Sequence, residues 1–216
     1  MDLNVVLFDL DGTLTDSAAG IMSSYRHALR LLGLDAPDEA IRACIGPPLV
    51  DGFAALGVPA RRLDEAVDLY RRHFSEVGIL ENQLYPGVAE MLDALSGAGL
   101  RLALATSKLG EYGGRILDQF GISGHFEAIS GATRDGSRLH KEEIVDHALA
   151  ELGRPDPAGV VMVGDREHDM LAARRHGLRG IGVTWGYGSV DELLEAFADV
   201  LAETPRQVVE LVLAGG

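Results

Sequence analysis

Leu3-Asn4-Val5-Val6-Leu7-Phe8-Asp9-Leu10-Asp11-Gly12-Thr13 joins a short β-branched, apolar run to an acidic turn. The run has no polar interruption from Val5 to Phe8, which predicts a buried strand ending in a polar loop. Asp9 and Asp11 lie two residues apart where the chain turns. Both carboxylates can therefore enter one pocket, and Gly12 lets the backbone approach a ligand closely. Two neighbouring carboxylates repel, so a cation or a shared proton is expected between them. Alone, the pair would read as a helix cap, so its meaning depends on what the rest of the chain brings to it.

Further strand-like runs follow at Arg101 to Ala105, Val160 to Val163 and Arg179 to Val183, with a weaker one at Phe126 to Ile129. Helix-period stretches separate them: Gly87 to Ser96, Glu111 to Phe120, Glu142 to Leu152 and Asp169 to His176. Strands alternating with helices of about ten residues predict an α/β fold, a Rossmann-like parallel sheet with helices on both faces. Such sheets bind ligands at the carboxyl ends of their strands. From Ser17 to Leu84 the rhythm breaks, with helical patterns at Ser17 to Leu32, Asp38 to Cys44, Pro48 to Leu56 and Pro59 to Val77 and no convincing strand. The expected organisation is a core from residues 1–15 and 86–216 with a small all-helical domain, 16–85, inserted after the first strand. That insert is expected above the Asp9 loop, as a lid hinged near Asp16 to Gly20 and Gln83 to Gly87.

Each later strand ends in a different polar group. The second leads into Thr106-Ser107-Lys108, a hydroxyl ahead of a helix N-terminus suited to an anion. The loop after Phe126 to Ile129 carries Arg138 and Lys141, and Val160 to Val163 leads into Gly164-Asp165, with Asp169 four residues on. Acids, a hydroxyl and a lysine converging on one sheet edge are the parts needed for metal-assisted phosphoryl transfer.

Composition sets outer limits. The 216-residue chain is 47% hydrophobic and 24% charged, ordinary for a globular protein. A net charge of −14 argues against a nucleic-acid backbone as partner, though one cleft can still attract a small anion through a cation and a few basic groups. No apolar run is long enough to span a membrane, and the N-terminus does not read as a signal peptide. The single cysteine, Cys44, fits a reducing, cytoplasmic setting and a plain packing or surface position.

At these residues the chain resembles the haloacid dehalogenase superfamily of phosphohydrolases. Phe8-Asp9-Leu10-Asp11-Gly12-Thr13-Leu14-Thr15-Asp16-Ser17 resembles the first motif, Thr106 the second, Lys141 the third, and Val163 to Asp169 the fourth. The resemblance implies Asp9 as nucleophile and Asp11 as acid and then base. It also implies Thr106 and Lys141 as holders of the phosphoryl oxygens. Mg²⁺ would be bound by Asp9, the backbone carbonyl of Asp11, and Asp165, with Asp169 in support. Gly12, Thr13, Ser107, Lys108 and Arg138 are supporting candidates, and Lys108 is expected either to orient Asp9 or to reach the phosphate. His168 is expected to be a loop residue. Thr184-Trp185-Gly186-Tyr187-Gly188 is typical of phosphatases of this family, its aromatics either flanking the site or packing in the core.

Within the family, Ile45-Gly46-Pro47-Pro48-Leu49 and Glu81 to Val88 resemble the phosphoglycolate phosphatase branch. The segment Asp135 to Ile144, with no proline after Lys141, looks instead like a 5′-nucleotidase-like subgroup. Phosphoglycolate and nucleoside 5′-monophosphates both stay open as the small phosphate ester. Arg42, Arg71, Arg72 and His73 are candidate anion contacts from the insert. A sugar phosphomutase is disfavoured because Gly20 stands where that type carries a histidine, and a non-catalytic phosphate-binding protein because every acid is retained. Nothing in the pattern decides between monomer and homodimer.

Overall fold

The uninterrupted apolar run forms β1 (Val5–Phe8), whose four side chains are fully buried. After the acidic turn come β2 (Thr15–Asp16) and the inserted helices α1 (Ala18–Leu31), α2 (Asp38–Arg42), α3 (Leu49–Ala55) and α4 (Leu63–Glu76). The chain returns through β3 (Gln83–Leu84). It continues as α5 (Val88–Gly97), β4 (Arg101–Leu109), α6 (Gly110–Gln119), β5 (Phe126–Ala132), α7 (Lys141–Glu151) and β6 (Val160–Gly164). The last elements are α8 (Glu167–Arg175), β7 (Arg179–Val183), α9 (Val190–Glu195), β8 (Val200–Ala202) and α10 (Pro205–Leu213). The computed structural model describes residues 3–214.

The main sheet has the order β5-β4-β1-β6-β7-β8, and all its pairings are parallel. Phe8 is in register with Leu104 of β4 on one side and Val163 of β6 on the other. Asp9, just past β1, Asp165, just past β6, and Thr106, two residues beyond Leu104 within β4, therefore lie at the same edge of the sheet. From β1 the chain proceeds outward through β4 and β5, then crosses by α7 to β6 and runs outward the other way. The order reverses between β1 and β6, which is where sheets of this kind leave a crevice at their carboxyl ends.

Two-sided burial explains the composition of the central strands. Val5, Leu7, Ala103, Val160 and Met162 pack with Ile144, Val145 and Ala148 of α7 on one face. On the other face α6 comes so close that a Cβ on Gly113 would lie 3.0 Å from Leu104. Such strands lack alternation because neither face meets water.

Several boundaries differ from expectation. β4 does not stop at Ala105 but runs to Leu109, with a shift of register between Thr106 and Leu109 against β5. Thr106 and Ser107 thus belong to a strand rather than to the threshold of a helix. The polar pair inside a buried strand disguised its continuation. β3 is a two-residue strand in a stretch expected to have none, and β8 with its flanking helices α9 and α10 had no clear pattern. His168 lies in the first turn of α8 rather than in a loop, because the helix starts two residues before its apolar periodicity does.

The chain divides into two compact units, one comprising the residues up to Thr15 and from Leu84 onward, the other Asp16–Gln83. The second unit is held by an aromatic cluster. Tyr25 of α1 lies 4.7 Å from Phe53 of α3 and 5.0 Å from Tyr70 of α4, centroid to centroid, and Tyr70 stacks on Phe74. Gly20 of α1 packs against the turn at Gly78, where any Cβ would collide with the Gly78 carbonyl oxygen. Cys44 is buried in the same unit, its thiol 3.3 Å from the Ala40 carbonyl, so it packs rather than lying at the surface.

Candidate active site

The site is assembled from the ends of β1, β4 and β6 and the first turns of α7 and α8. Asp9 is the first residue past β1, and its backbone N–H donates to the carbonyl of Val163 at 2.9 Å, which extends the parallel ladder to the lip of the crevice. The chain then turns sharply. Gly12 adopts a left-handed φ of +89°, and a Cβ there would collide with the Asp165 carboxylate. No other residue type meets both conditions without strain.

Lys141, the first residue of α7, is buried and reaches three acceptors. Its ammonium donates to Asp9 Oδ1 at 2.5 Å and to the Ala105 carbonyl at 2.8 Å, and it pairs with Asp169 Oδ1 at 2.7 Å. A cation at a helix N-terminus works against the helix dipole. The helix is supported there by Glu143, which accepts from the backbone N–H groups of Leu139 and His140. The carboxylates outweigh both the dipole and the desolvation. Burial pulls the Lys141 ammonium down, but Asp169 and Asp9 push it further up, so it stays charged.

Asp9, Asp165 and Asp169 are all buried, and each offers an oxygen within 4.8 Å of the others. Burial is the main reason the Asp9 carboxyl is pushed up to about 7. Asp169 and Asp11 add to the rise and Lys141 opposes it. Asp165 is likewise pushed well up, first by burial and then by the charges of Asp9 and Asp169. Three buried carboxylates against one ammonium leave an excess of negative charge that a divalent cation would neutralise. The donors are all hard oxygens, the set Mg²⁺ prefers over softer metals. The residues fit that ion.

The partners of each acid differ. Asp165 Oδ2 accepts from the backbone N–H of Tyr187 at 2.7 Å, and Oδ1 accepts from the Thr13 hydroxyl at 3.3 Å. Asp169 spends Oδ2 on the N–H of Arg166 at 3.1 Å, capping α8, which leaves Oδ1 for Lys141. Asp11 lies outside the carboxylate cluster. Its Oδ2 pairs with Lys108 at 3.1 Å, both side chains being largely buried. Thr106 is buried, and its hydroxyl accepts from the N–H of Lys108 at 3.2 Å.

The remaining sequence candidates fall in different places. Lys108 faces Asp11 rather than Asp9. Arg138 donates from Nε to the Gly131 carbonyl at 2.7 Å, stapling the loop that leads into α7. Ser107 is half-buried within β4. Within the inserted unit Arg42 and Arg72 are exposed, and His73 stacks on His27 while its Nδ1 meets the Ser24 hydroxyl at 3.0 Å. Two contributors escaped the sequence reading: the Ala105 carbonyl that holds Lys141, and the N–H of Tyr187 that holds Asp165. Backbone groups carry no residue-type signal. The strand register alone could have pointed to them.

A model of haloacid dehalogenase-like hydrolases matches residues 6–183. The chain is 47% identical over 188 residues to "Tyrosine-protein kinase PtkA" of Mycobacterium tuberculosis, covering 87% of this chain and 64% of that relative. It therefore spans somewhat under two thirds of that relative's length. It is 46% identical over 190 residues to a "5'-nucleotidase" of Pseudomonas aeruginosa, covering 87% of this chain and 86% of the relative. A crystal structure of a predicted phosphatase from Clostridium acetobutylicum superposes with a TM-score of 0.94 at 34% identity, covering 99% of this chain and 100% of that one. The chain belongs to the haloacid dehalogenase-like hydrolase family.

Proposed function

We propose that this chain is a Mg²⁺-dependent phosphatase that moves the phosphoryl group of a small ester onto Asp9 and then to water. The observation that carries the reading is the buried Lys141–Asp9 pair at 2.5 Å, set beside Asp165 and Asp169 at the switch point of the sheet. Lys141 occupies Asp9 Oδ1, which leaves Oδ2 to attack phosphorus. As the new O–P bond forms, the bond from phosphorus to the leaving oxygen breaks, and Asp11 delivers its proton to that oxygen. Asp11 then removes a proton from a water molecule whose oxygen attacks the aspartyl phosphate, releasing inorganic phosphate and restoring Asp9. Lys108 holds the Asp11 side chain at 3.1 Å for both steps. Thr106 and Lys141 would steady the phosphoryl oxygens, Lys141 exchanging one of its three acceptors to do so. Asp9, the Asp11 carbonyl and Asp165 would hold Mg²⁺, with Asp169 behind them. The ion would offset the charge that builds up as a carboxylate meets a phosphate.

Nucleoside 5′-monophosphates lead as substrate class, on the likeness to the 5′-nucleotidase and on the absence of proline after Lys141. Phosphoglycolate stands second, on the resemblance at Ile45 to Leu49 and Glu81 to Val88. Phosphoryl transfer to a protein tyrosine is a third reading with one observation behind it, the 47% identity to a relative named as a tyrosine kinase. It would use the same aspartyl phosphate with tyrosine replacing water. A panel of these esters, with and without Mg²⁺ and with ATP plus a tyrosine peptide as a separate arm, tests all three. Mg²⁺-dependent phosphate release that vanishes in Asp9→Asn is expected. Release that persists in that variant would overturn the mechanism.

A further inference from the structure

We infer that the loop from Thr184 to Gly188 decides which oxygen of Asp165 is offered to the cation, with Trp185 as its anchoring residue. The inference rests on the metal-assisted reading above and deepens it. β7 lies beside β6 with Gly164 in register with Gly182, so the loop leaving β7 falls against Asp165. The loop fits there because Gly186 and Gly188 present no side chain at the points of closest approach. A Cβ on Gly186 would collide with the Asp165 carboxylate and with the Gly12 carbonyl oxygen, and one on Gly188 with the Asp165 carbonyl oxygen.

That close approach brings the Tyr187 N–H to Asp165 Oδ2 at 2.7 Å, a short charge-assisted bond that fixes the rotation of the carboxylate. Among the described residues, Oδ1 accepts the long bond from the Thr13 hydroxyl at 3.3 Å and keeps a lone pair for a metal. Trp185 ties the loop to the opposite wall, its indole N–H donating to the Thr13 carbonyl at 3.1 Å. The loop thus bridges the strand end carrying Asp165 and the turn after Asp9. Trp185 is a positioning residue, since it touches the turn rather than the reacting atoms. Groups of this kind, one bond removed from a metal, commonly change affinity by about 10–100-fold when altered.

Trp185 is the only tryptophan in the chain, so its emission reports on this contact. The experiment is calorimetric titration of Mg²⁺ into the full chain as wild type, Gly186→Ala, Trp185→Phe and Asp165→Asn, with fold checked by circular dichroism. Both loop variants should bind Mg²⁺ about tenfold more weakly or worse. Their turnover should fall at low Mg²⁺ and recover as Mg²⁺ is raised, so that KM for the ion moves more than kcat. Wild-type emission should shift on Mg²⁺ addition and stay unchanged in Asp165→Asn. If Gly186→Ala does not fold, Trp185→Phe decides alone. Folded loop variants that bind Mg²⁺ as tightly as an active wild type would overturn this inference and leave the phosphatase reading standing. A wild type that binds no Mg²⁺ would overturn both.

Discussion

The two units of the chain bury opposite chemistries. In the second unit the centre is Tyr25, Phe53, Tyr70 and Phe74, rings packed on rings, and the charged pair Arg62–Glu65 stays at the surface. In the first unit an apolar core like that underlies the sheet, yet at one edge Asp9, Asp165, Asp169 and Lys141 are taken out of water together. Burying rings stabilises a fold, whereas burying like charges costs it free energy. The acid cluster is therefore explained by the cation proposed for it, and the aromatic cluster by what it holds together.

The contrast can be broken most sharply at Asp9. Asp9→Asn should reduce turnover by at least about 10³-fold, as removal of a nucleophile does, while circular dichroism stays that of the wild type. Steady-state kinetics on the best ester checks this. At the aromatic centre the effect should be the reverse. Phe53→Ala should cost about 3–5 kcal/mol of stability in urea titration, yet leave calorimetric Mg²⁺ affinity within roughly twofold, since residues with no shared partners act independently.

Asp9 should also behave unlike an ordinary stabilising carboxylate. Its folded pKa of about 7 lies above the ordinary 3.8, so its contribution is fully present below about pH 4 and lost as pH rises through 7. Without Mg²⁺ at pH 8, Asp9→Asn should melt higher than wild type by roughly 5 °C or more. The gap should narrow at pH 5 and close near pH 4. A variant that melts lower at pH 8 would mean that the Lys141 pair outweighs the burial of the acid. The same titration predicts that Mg²⁺ affinity falls below pH 7, by up to about tenfold per unit as Asp9 takes up its proton. Calorimetry at pH 6 and 8 would show it. The smallest effect belongs to the surface: Arg206→Ala, which breaks the exposed pair with Glu210, should move the melting point by no more than about 2 °C.

Much of this division was legible in the residues. Val5 to Phe8 read as a buried strand, and the polar groups near the ends of the later strands marked the sheet edge where Asp9, Lys141, Asp165 and Asp169 meet. The inserted helices showed their apolar spacing to within two residues for α1, α2 and α3, while the fourth pattern starts four residues ahead of α4, over the short 3-10 turn Ala60–Arg62. What was not legible depended on contacts distant in sequence. β4 ran on through Thr106 and Ser107 because β5 pairs with it as far as Leu109, which no local pattern records. β8 is three residues long and at the sheet edge, too short for a period to appear. Lys108 turned to Asp11, and Arg138 to the Gly131 carbonyl of β5, because side-chain partners depend on register rather than on residue type. Gly20 read as the lack of a histidine. The structure adds that the Gly78 carbonyl leaves no room for a side chain there.

The most direct test of the account is to trap the phosphoryl group on the enzyme. Wild type turning over its best ester with Mg²⁺ is quenched in acid, digested and examined by mass spectrometry. The expected result is a phosphoryl increment on the peptide carrying Asp9, removed by neutral hydroxylamine as an acyl phosphate should be, and absent from Asp9→Asn. An increment on any other residue, or turnover by Asp9→Asn at the wild-type rate, would contradict it.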